Sequence, residues 1–314
     1  MAKTTGDAGL SIRALQGSPR RQRKEGFVRV LLMAAAIVSM VVSVAIVVAL
    51  IGKTITFLTN VDLGQLWTDG WRPRSGEFDV LTIFIGTIEV SVIAMMIATP
   101  LGLGAAMYLS EYANPKTRRK LKPILETLAG IPSVVLGYFA LQVINPALVR
   151  PLFSSAGTFN IMAAGIGVGI LTIPLVASVA EDAMYAVPSA LREAAYGIGA
   201  RRRTVTTKVV FPAAVSGIVA ALILGFSRAV GETMVVAIAA GATGGASRHW
   251  DPLEPGQTMT GAISSLAIGS DQVKSTTGLN PFDSLFFVGL MLFAMTLALN
   301  VVSERYVRKV RKDF

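Results

Sequence analysis

Two charged residues, Arg228 and Glu232, stand four positions apart inside a long apolar stretch, residues 209–240. On an α-helix this spacing places both side chains on one face. A guanidinium offers a planar fork of donors that suits the oxygens of phosphate-like anions, and it stays charged at physiological pH. Two interpretations are open. The pair is either a structural ion pair that lowers its own cost of burial, or an anion-binding point at which Arg228 exchanges between Glu232 and the anion.

Residue types needed for other site chemistry are missing from the sequence. There is no cysteine and only one histidine, His249, which excludes cysteine-ligated metals and histidine clusters. The run Gly52, Lys53, Thr54 resembles the end of a phosphate-binding loop, but Val47 occupies the position of its first glycine. We therefore expect no catalysis, no metal and no cofactor in this chain.

The composition indicates an integral membrane protein. Of 314 residues, 53% are hydrophobic and 15% are charged, and the mean hydropathy is +0.60. A soluble domain has about a quarter of its residues charged. Because a helix needs roughly 20 apolar residues to cross the hydrocarbon core, we predict an all-α membrane protein with six transmembrane helices, the first an uncleaved anchor. The predicted spans are residues 30–51, 80–109, 127–149, 151–180, 209–240 and 284–303.

The charged pair lies deep in the fifth predicted span. Arg228 follows Pro212 by roughly 24 Å of helix at 1.5 Å per residue. An Arg or a Glu at the centre of a bilayer costs about 2.5 to 3.5 kcal/mol on insertion scales. We therefore expect both side chains to face a protein interior or a water-filled path rather than lipid.

The basic residues predict the orientation. Most of the 29 Lys and Arg residues lie before span one, between spans two and three, between spans four and five, or after span six. Cytoplasmic loops carry an excess of Lys and Arg, so we expect both termini in the cytoplasm. These segments are short and carry no pattern of base-stacking aromatics, so we expect no nucleic-acid partner.

The domain organisation follows from the spans and their orientation. We expect a basic cytoplasmic tail at residues 1–29, a six-span domain at 30–303 and a second cytoplasmic tail at 304–314. Within the six-span domain, a cytoplasmic loop covers residues 181–208 and a long outer loop covers 241–283. An outer loop of this length is too long for a simple turn.

The cytoplasmic loop is unlike a plain connector. Pro188 suits the first turn of a helix, residues 190–195 favour helix formation, and Gly197 and Gly199 favour its end. A short exposed helix is therefore expected. On composition alone it is either a turn that only links two spans or a surface that a partner protein contacts.

A known pattern favours the partner. The matching residues are Glu193, Ala194, Ala195, Gly199, Val209, Phe211 and Pro212. They resemble the EAA loop in permease subunits of ABC importers, although that pattern more often has isoleucine and leucine where Val209 and Phe211 stand. In those permeases the short helix docks in a groove of the cytoplasmic ATPase. The resemblance therefore implies that Glu193, Ala194, Ala195 and Gly199 couple the chain to an ATPase.

Three further runs resemble the permeases of the high-affinity phosphate ABC importer, the Pst system, in their PstC-like form. They are residues 129–135, 227–234 and 257–260. The resemblance implies the type I ABC importer permease fold and a path for inorganic phosphate lined by Arg228 and Glu232. It also implies a second phosphate permease subunit, cytoplasmic ATP-binding subunits that hydrolyse ATP, and an external phosphate-binding protein, around a permease embedded in the lipid bilayer of the cell membrane.

Other functions stay open on the residues alone. One is a permease for sulfate or molybdate, because an arginine does not distinguish tetrahedral oxyanions. Another is an ion-coupled carrier or channel acting alone, with Glu89 and Glu232 as proton sites. A third is a structural anchor for a cytoplasmic complex, which leaves the buried charges unexplained. We assign Glu89 no role.

Smaller features predict packing and docking. Gly165, Gly167 and Gly169 fall within a predicted span, so we expect them to pack helices closely rather than to bind a dinucleotide. The apolar run 259–268 in the outer loop is expected to form a short helix at the outer surface. We expect a docking surface for the external binding protein there.

Overall fold

A computed structural model describes residues 19–67, 70–241, 246–268 and 281–310, with side chains from Lys24 to Arg305. Parts of the predicted tails and of the outer loop at 241–283 lie outside the described residues. The chain divides into two units, residues 1–52 and 53–314. The described part of the first unit is helical, and nearly all of its described side chains are exposed, as expected for a helix that is apolar on every side and lies in a membrane.

Helices dominate the described residues, with one small hairpin. The helices are α1 Pro19–Asn60, α2 Val80–Met107, α3 Pro115–Leu128, α4 Ser133–Phe139, α5 Ile161–Tyr185, α6 Ser189–Gly197, α7 Arg202–Val205, α8 Val215–Val230, α9 Met234–Ala239, α10 Met259–Ile268 and α11 Pro281–Val310. Strands β1 Trp71–Arg72 and β2 Glu77–Phe78 pair antiparallel. Wider π-helical turns extend three of the helices: α2 through Tyr108–Tyr112, α4 through Ala140–Val149 and α7 through Thr206–Val210.

The helix lengths confirm a six-span, all-α architecture. Among the described residues, five helices are long and apolar enough to cross a membrane, and a bent pair makes a sixth span. The five are Lys24–Asn60, Val80–Tyr112, Ser133–Leu152, Ile161–Tyr185 and Pro281–Arg305, and the bent pair is Arg202–Ala213 with Val215–Val230. The short helix predicted at 259–268 is also present, as α10.

Two span boundaries lie later than the apolar pattern predicts, because local turn residues override it. The third span begins at Ser133 rather than 127, since the chain turns after α3 and Pro132 precedes the new helix in an extended conformation. The fourth span begins at Ile161 rather than 151. There the Asn160 side chain accepts a hydrogen bond from the amide of Ala163 at 2.7 Å, which caps α5.

The fifth predicted span, residues 209–240, is a broken helix. The segments Arg202–Ala213 and Val215–Val230 meet at an angle of 72°. Pro212, just before the bend, lacks a backbone donor for a continuous helix. A second break follows α8, which ends at Val230, before α9 starts at Met234. Glu232 therefore lies beyond the helix that carries Arg228, which differs from the single helical face that the spacing predicts.

Spans two and four pack at glycine contacts, as predicted for Gly165 and Gly169. A Cβ atom on Gly165 would lie 2.7 Å from Ile93, and one on Gly169 would lie 2.9 Å from the carbonyl oxygen of Ala94. Gly167 faces the other side, where its Cβ would be 3.0 Å from Ala140. Larger residues at the first two positions would force α2 and α5 apart. This interface is the centre of the second unit.

The second unit has two recognisable ends. We call the end that carries α3 and α6 the basic end, and the end that carries β1 and β2 the hairpin end. At the hairpin end, Asp79 is fully buried; it caps α2 by accepting a hydrogen bond from the amide of Leu81 and forms an ion pair with Arg248 at 2.9 Å. This pair attaches the segment after residue 246 to the start of span two.

Candidate functional site

The structure brings Arg228 and Glu232 together across the end of α8. The Nη1 atom of Arg228 lies 3.3 Å from Oε2 of Glu232. The two side chains differ in environment, because that of Arg228 is 47% exposed and that of Glu232 is 3% exposed. Among the described residues, Glu232 is the one ion-pair partner recorded for Arg228. A guanidinium has five N–H donors, so this arrangement leaves donors of Arg228 free to bind an anion.

Glu232 is held by the segment that follows it. Its Oε1 atom accepts a hydrogen bond from the amide of Val235 at 3.4 Å, in the first turn of α9. Its main-chain carbonyl accepts a hydrogen bond from the hydroxyl of Thr260 at 2.7 Å. The first turn of α9 therefore holds the carboxylate and Thr260 holds the main chain. The amide of Glu232 also donates to the carbonyl of Ala229 on α8 at 3.2 Å, and Arg228 projects from the last turn of the same helix. Glu232 thus lies between α8 and α9 and is bound to both, whereas Arg228 lies on α8.

The segment Gln257 to Thr260 reaches the break in span five, which the sequence did not predict. The amide of Met259 donates to the Thr87 hydroxyl at 3.0 Å, and a Cβ on Gly86 would lie 2.5 Å from the carbonyl oxygen of Gln257. Only glycine permits that approach to span two. Residues 227–234 and 257–260 were each part of the resemblance to phosphate permeases, and nothing in their spacing indicated that they touch.

The predicted coupling residues lie on α6 and its cap at the basic end. The side chains of Glu193 and Ala194 are exposed and that of Ala195 is buried. Gly199 has a φ of +80° in the left-handed region, which favours glycine after a helix. Its neighbour Ile198 is 88% exposed. Leu191 and Tyr196 are exposed as well, and several exposed apolar side chains on one short segment are typical of a protein–protein contact.

A network of ion pairs stabilises the basic end. The buried carboxylate of Glu181 binds Nε of Arg118 at 2.7 Å and Nζ of Lys122 at 2.7 Å, which fixes α3 on the end of span four. Burial lowers the pKa of Lys122, but its hydrogen bonds with Asp182 and Glu181 and their charges outweigh burial and raise that pKa above 10.5. Lys122 therefore stays charged at physiological pH. Sequence reasoning did not identify this network.

Glu89 lies within α2, and its role stays unassigned. One carboxylate oxygen, Oε2, is buried and has no hydrogen-bond partner in the part of the chain that the structure describes. No group of three His, Cys, Asp or Glu residues suited to a metal ion occurs among the described residues. Arg228 and the exposed surface of α6 lie on different elements, with α7 and the bend before α8 between them along the chain.

Comparison with known proteins identifies relatives along most of the chain. Residues 98–313 match the family described as "Binding-protein-dependent transport system inner membrane component". The probable ABC transporter permease protein YqgH of Bacillus subtilis (strain 168) is 32% identical over 309 residues, which are 96% of this chain and 97% of that protein. The phosphate transport system permease protein PstC of Mesorhizobium japonicum is 32% identical over 296 residues, 88% of either chain.

Solved structures of ABC transporters share the fold. A bacterial alginate ABC transporter, solved in complex with an alginate-bound periplasmic protein, superposes with a TM-score of 0.64 at 14% identity and covers 92% of this chain and 97% of its own. The inward-facing MetNI methionine ABC transporter has a TM-score of 0.53 at 19% identity, covering 74% of this chain and 94% of its own. At these identities the likeness shows the type I ABC importer permease fold. The chain therefore belongs to the family of binding-protein-dependent transport system inner membrane components, as a multi-pass membrane permease subunit of an ABC importer and not an enzyme.

Proposed function

We propose that this permease subunit carries inorganic phosphate, with Arg228 as the anion-binding residue of the path. The observation that carries the proposal is the exposed guanidinium of Arg228 beside the buried carboxylate of Glu232. Charge-assisted bonds from arginine to phosphate oxygens are short and frequently bidentate. Relatives named as phosphate transport permeases, 29 to 32% identical over most of the chain, support phosphate as the anion.

Exchange of Arg228 between two partners explains how binding stays reversible. When the path is empty, Glu232 neutralises part of the charge on Arg228. When phosphate arrives, free donors of Arg228 bind its oxygens while Glu232 repels the anion. This repulsion weakens binding enough for release. The carboxylate of Glu232 is bound to the first turn of α9, whereas Arg228 lies on α8. A movement of α9 relative to α8 therefore shifts this carboxylate, and with it the distance between the charges and the affinity for the anion.

The same proposal assigns the partners. The basic end faces the cytoplasm, both tails at 1–29 and 304–314 are cytoplasmic, and the coupling loop at 181–208 docks on an ATP-binding subunit. In that contact Glu193, Ala194, Ala195 and Gly199 form the surface, and the exposed Ile198 inserts into an apolar groove of the ATPase. A second phosphate permease subunit completes the path, and an external phosphate-binding protein delivers phosphate at the hairpin end, near α10.

Uptake by a reconstituted complex tests the function. The chain is placed in proteoliposomes with its second permease and ATP-binding subunits, and labelled phosphate is supplied with the external binding protein. We expect uptake that requires ATP and that excess sulfate or molybdate does not reduce. Competition by sulfate or molybdate would show a permease for a different oxyanion. Phosphate flux through the chain alone, driven by a proton gradient, would show an ion-coupled carrier.

A further inference from the structure

Three elements meet at the side chain of Arg192, the residue before Glu193 on α6. Its Nη1 atom donates to the carbonyl oxygen of Val187 at 2.5 Å, and Nη2 donates to that of Met184 at 2.8 Å. Nη2 also lies 3.0 Å from Oε1 of Glu111, and Nε lies 3.3 Å from the same oxygen. We call these groups the Arg192 cluster. It joins α6 to the end of span four, at Met184 and Val187, and to the end of span two, at Glu111.

The Arg192 cluster is not a surface ion pair. The side chain of Arg192 is 19% exposed and that of Glu111 is 4% exposed. The hydroxyl of Ser110 donates to the same carboxylate oxygen at 2.9 Å. Exposed ion pairs contribute little because water screens them, whereas removing one partner of a buried pair leaves an uncompensated charge. The geometry of α6 relative to spans two and four therefore depends on this guanidinium.

The two spans bound by Arg192 form one packed body. A Cβ on Gly102 of α2 would lie 2.8 Å from the side chain of Val176 on α5, and the close contact at Gly165 lies on the same interface. Packed interiors with no free volume transmit displacement rather than absorb it. A movement of α6 that pulls on Arg192 therefore moves α2 and α5 together.

The packed body also contacts the helix that carries Arg228. A Cβ on Gly225 of α8 would lie 2.7 Å from Cγ2 of Val176 and 3.2 Å from that of Thr172. Gly225 is one turn before Arg228. Residue Val176 is thus in contact with both α2 and α8, so a displacement of α2 and α5 reaches the last turn of α8.

We propose that Arg192 is a positioning residue that transmits the movement of α6 to spans two, four and five. The proposal rests on the proposed function, because it requires an ATPase that moves α6 and an anion that passes Arg228. In this arrangement the exposed surface of α6 receives the force, and Arg192 on its inner side passes the force on. Weakening the Arg192 cluster separates ATP hydrolysis from transport without preventing docking of the ATPase.

The test compares ATP hydrolysis with phosphate uptake in the reconstituted complex. For Arg192→Ala we expect uptake per ATP hydrolysed to fall by about tenfold, which corresponds to a loss of about 1.4 kcal/mol of coupling, while hydrolysis continues. Arg192→Lys keeps the positive charge but not the planar set of guanidinium donors. Uptake per ATP hydrolysed should therefore recover in part. Arg119→Ala is the matched control, because Arg119 is an exposed cation on the neighbouring α3 and should leave the ratio unchanged.

Two results would overturn the proposal. One is an unchanged ratio in Arg192→Ala. If that variant does not assemble, the second is an unchanged ratio in Glu111→Gln, which keeps the size of the side chain and removes its charge. A failure of the proposed function looks different: the wild-type complex then hydrolyses ATP but takes up no phosphate. In that event the same variants are compared with the oxyanion that is taken up.

Discussion

Arg228 and Glu232 form an ion pair across a helix end, with 3.3 Å between Nη1 and Oε2, although α8 stops at Val230 between them. In a continuous helix, residues four apart move as one body. Here Arg228 belongs to α8, while Glu232 lies past the end of that helix. Its amide donates to Ala229 of α8, and its carboxylate and carbonyl accept from Val235 of α9 and from Thr260. The distance between the charges therefore reports the relative position of two elements, which is the property that a reversible anion site needs.

The first prediction concerns Arg228. Replacing it with Lys or with Gln removes the fork of donors, and charge-assisted hydrogen bonds contribute about 1.5 to 3 kcal/mol each. We expect phosphate uptake to fall by roughly ten- to a hundredfold, measured with labelled phosphate in proteoliposomes. The amount of assembled complex, measured by size-exclusion chromatography, should be unchanged. Normal uptake by either variant would remove Arg228 from the mechanism.

The second prediction concerns Glu232. Glu232→Gln keeps an oxygen for the amide of Val235 but removes the negative charge beside Arg228. With that repulsion gone, phosphate should bind more tightly and leave more slowly. We expect a lower apparent KM for phosphate and a lower maximal rate of uptake. If both values stay at those of the wild type, the carboxylate has no part in release and the structural ion pair is the better interpretation.

The third prediction tests the packing of spans two and four. Gly165→Leu places a side chain where even a Cβ lies 2.7 Å from Ile93, and overpacking of this kind costs about 1 to 3 kcal/mol. We expect a lower melting temperature of the purified subunit in detergent. Gly104→Leu is the control, because nothing lies within 4 Å of a Cβ at that position. Equal melting temperatures for the two variants would contradict the close packing.

The fourth prediction concerns the ion pairs of Glu181. Glu181→Gln leaves Arg118 and Lys122 without their buried carboxylate. We expect the free energy that holds α3 on span four to fall by about 1 to 3 kcal/mol. This loss is smaller than for a fully buried pair, because both cations are partly exposed. Hydrogen exchange of residues 115–128 should accelerate. Glu126→Gln, an exposed position on α3, should not change it, and equal exchange in both variants would contradict the assigned role.

The raised pKa of Lys122 adds a pH dependence to this prediction. Its charged form is stabilised by folding, so its contribution is complete below the unfolded pKa and is lost as pH rises through the higher folded value. The ordinary pKa is 10.5, so Lys122 stays charged between about pH 6 and 9. Within that range, we expect no change in the protection of α3 from hydrogen exchange that is due to Lys122. Protection that falls within that window as Lys122 loses its proton would show that its charge is not stabilised.

The sequence predicts the spans because apolar length is a local property. It also predicts α6, since Pro188 and Gly199 fix the start and the end of that helix within one stretch of chain. The break after Val230 was not predicted, because a Gly and a Thr inside an apolar run are also compatible with a continuous transmembrane helix. At the break, Glu232 accepts hydrogen bonds from Val235 and Thr260, and the second of these partners is distant in the sequence.

Long-range contacts account for the rest of what was missed. The bond from Thr260 to the Glu232 carbonyl joins residues 28 positions apart, and the contact between Arg192 and Glu111 joins residues 81 positions apart. No periodic pattern connects such pairs. In the sequence, Arg192 is one of several cations in a basic loop. Its burial follows only from the packing of spans two and four.

The bond between the Thr260 hydroxyl and residue 232 ends on a main-chain oxygen, which every amino acid possesses. Attachment of the segment Gln257 to Thr260 at this point therefore does not depend on which side chain stands at position 232. An apolar substitution at position 232 therefore removes the ion pair with Arg228 and the bond to Val235, while the bond from Thr260 to the chain is kept.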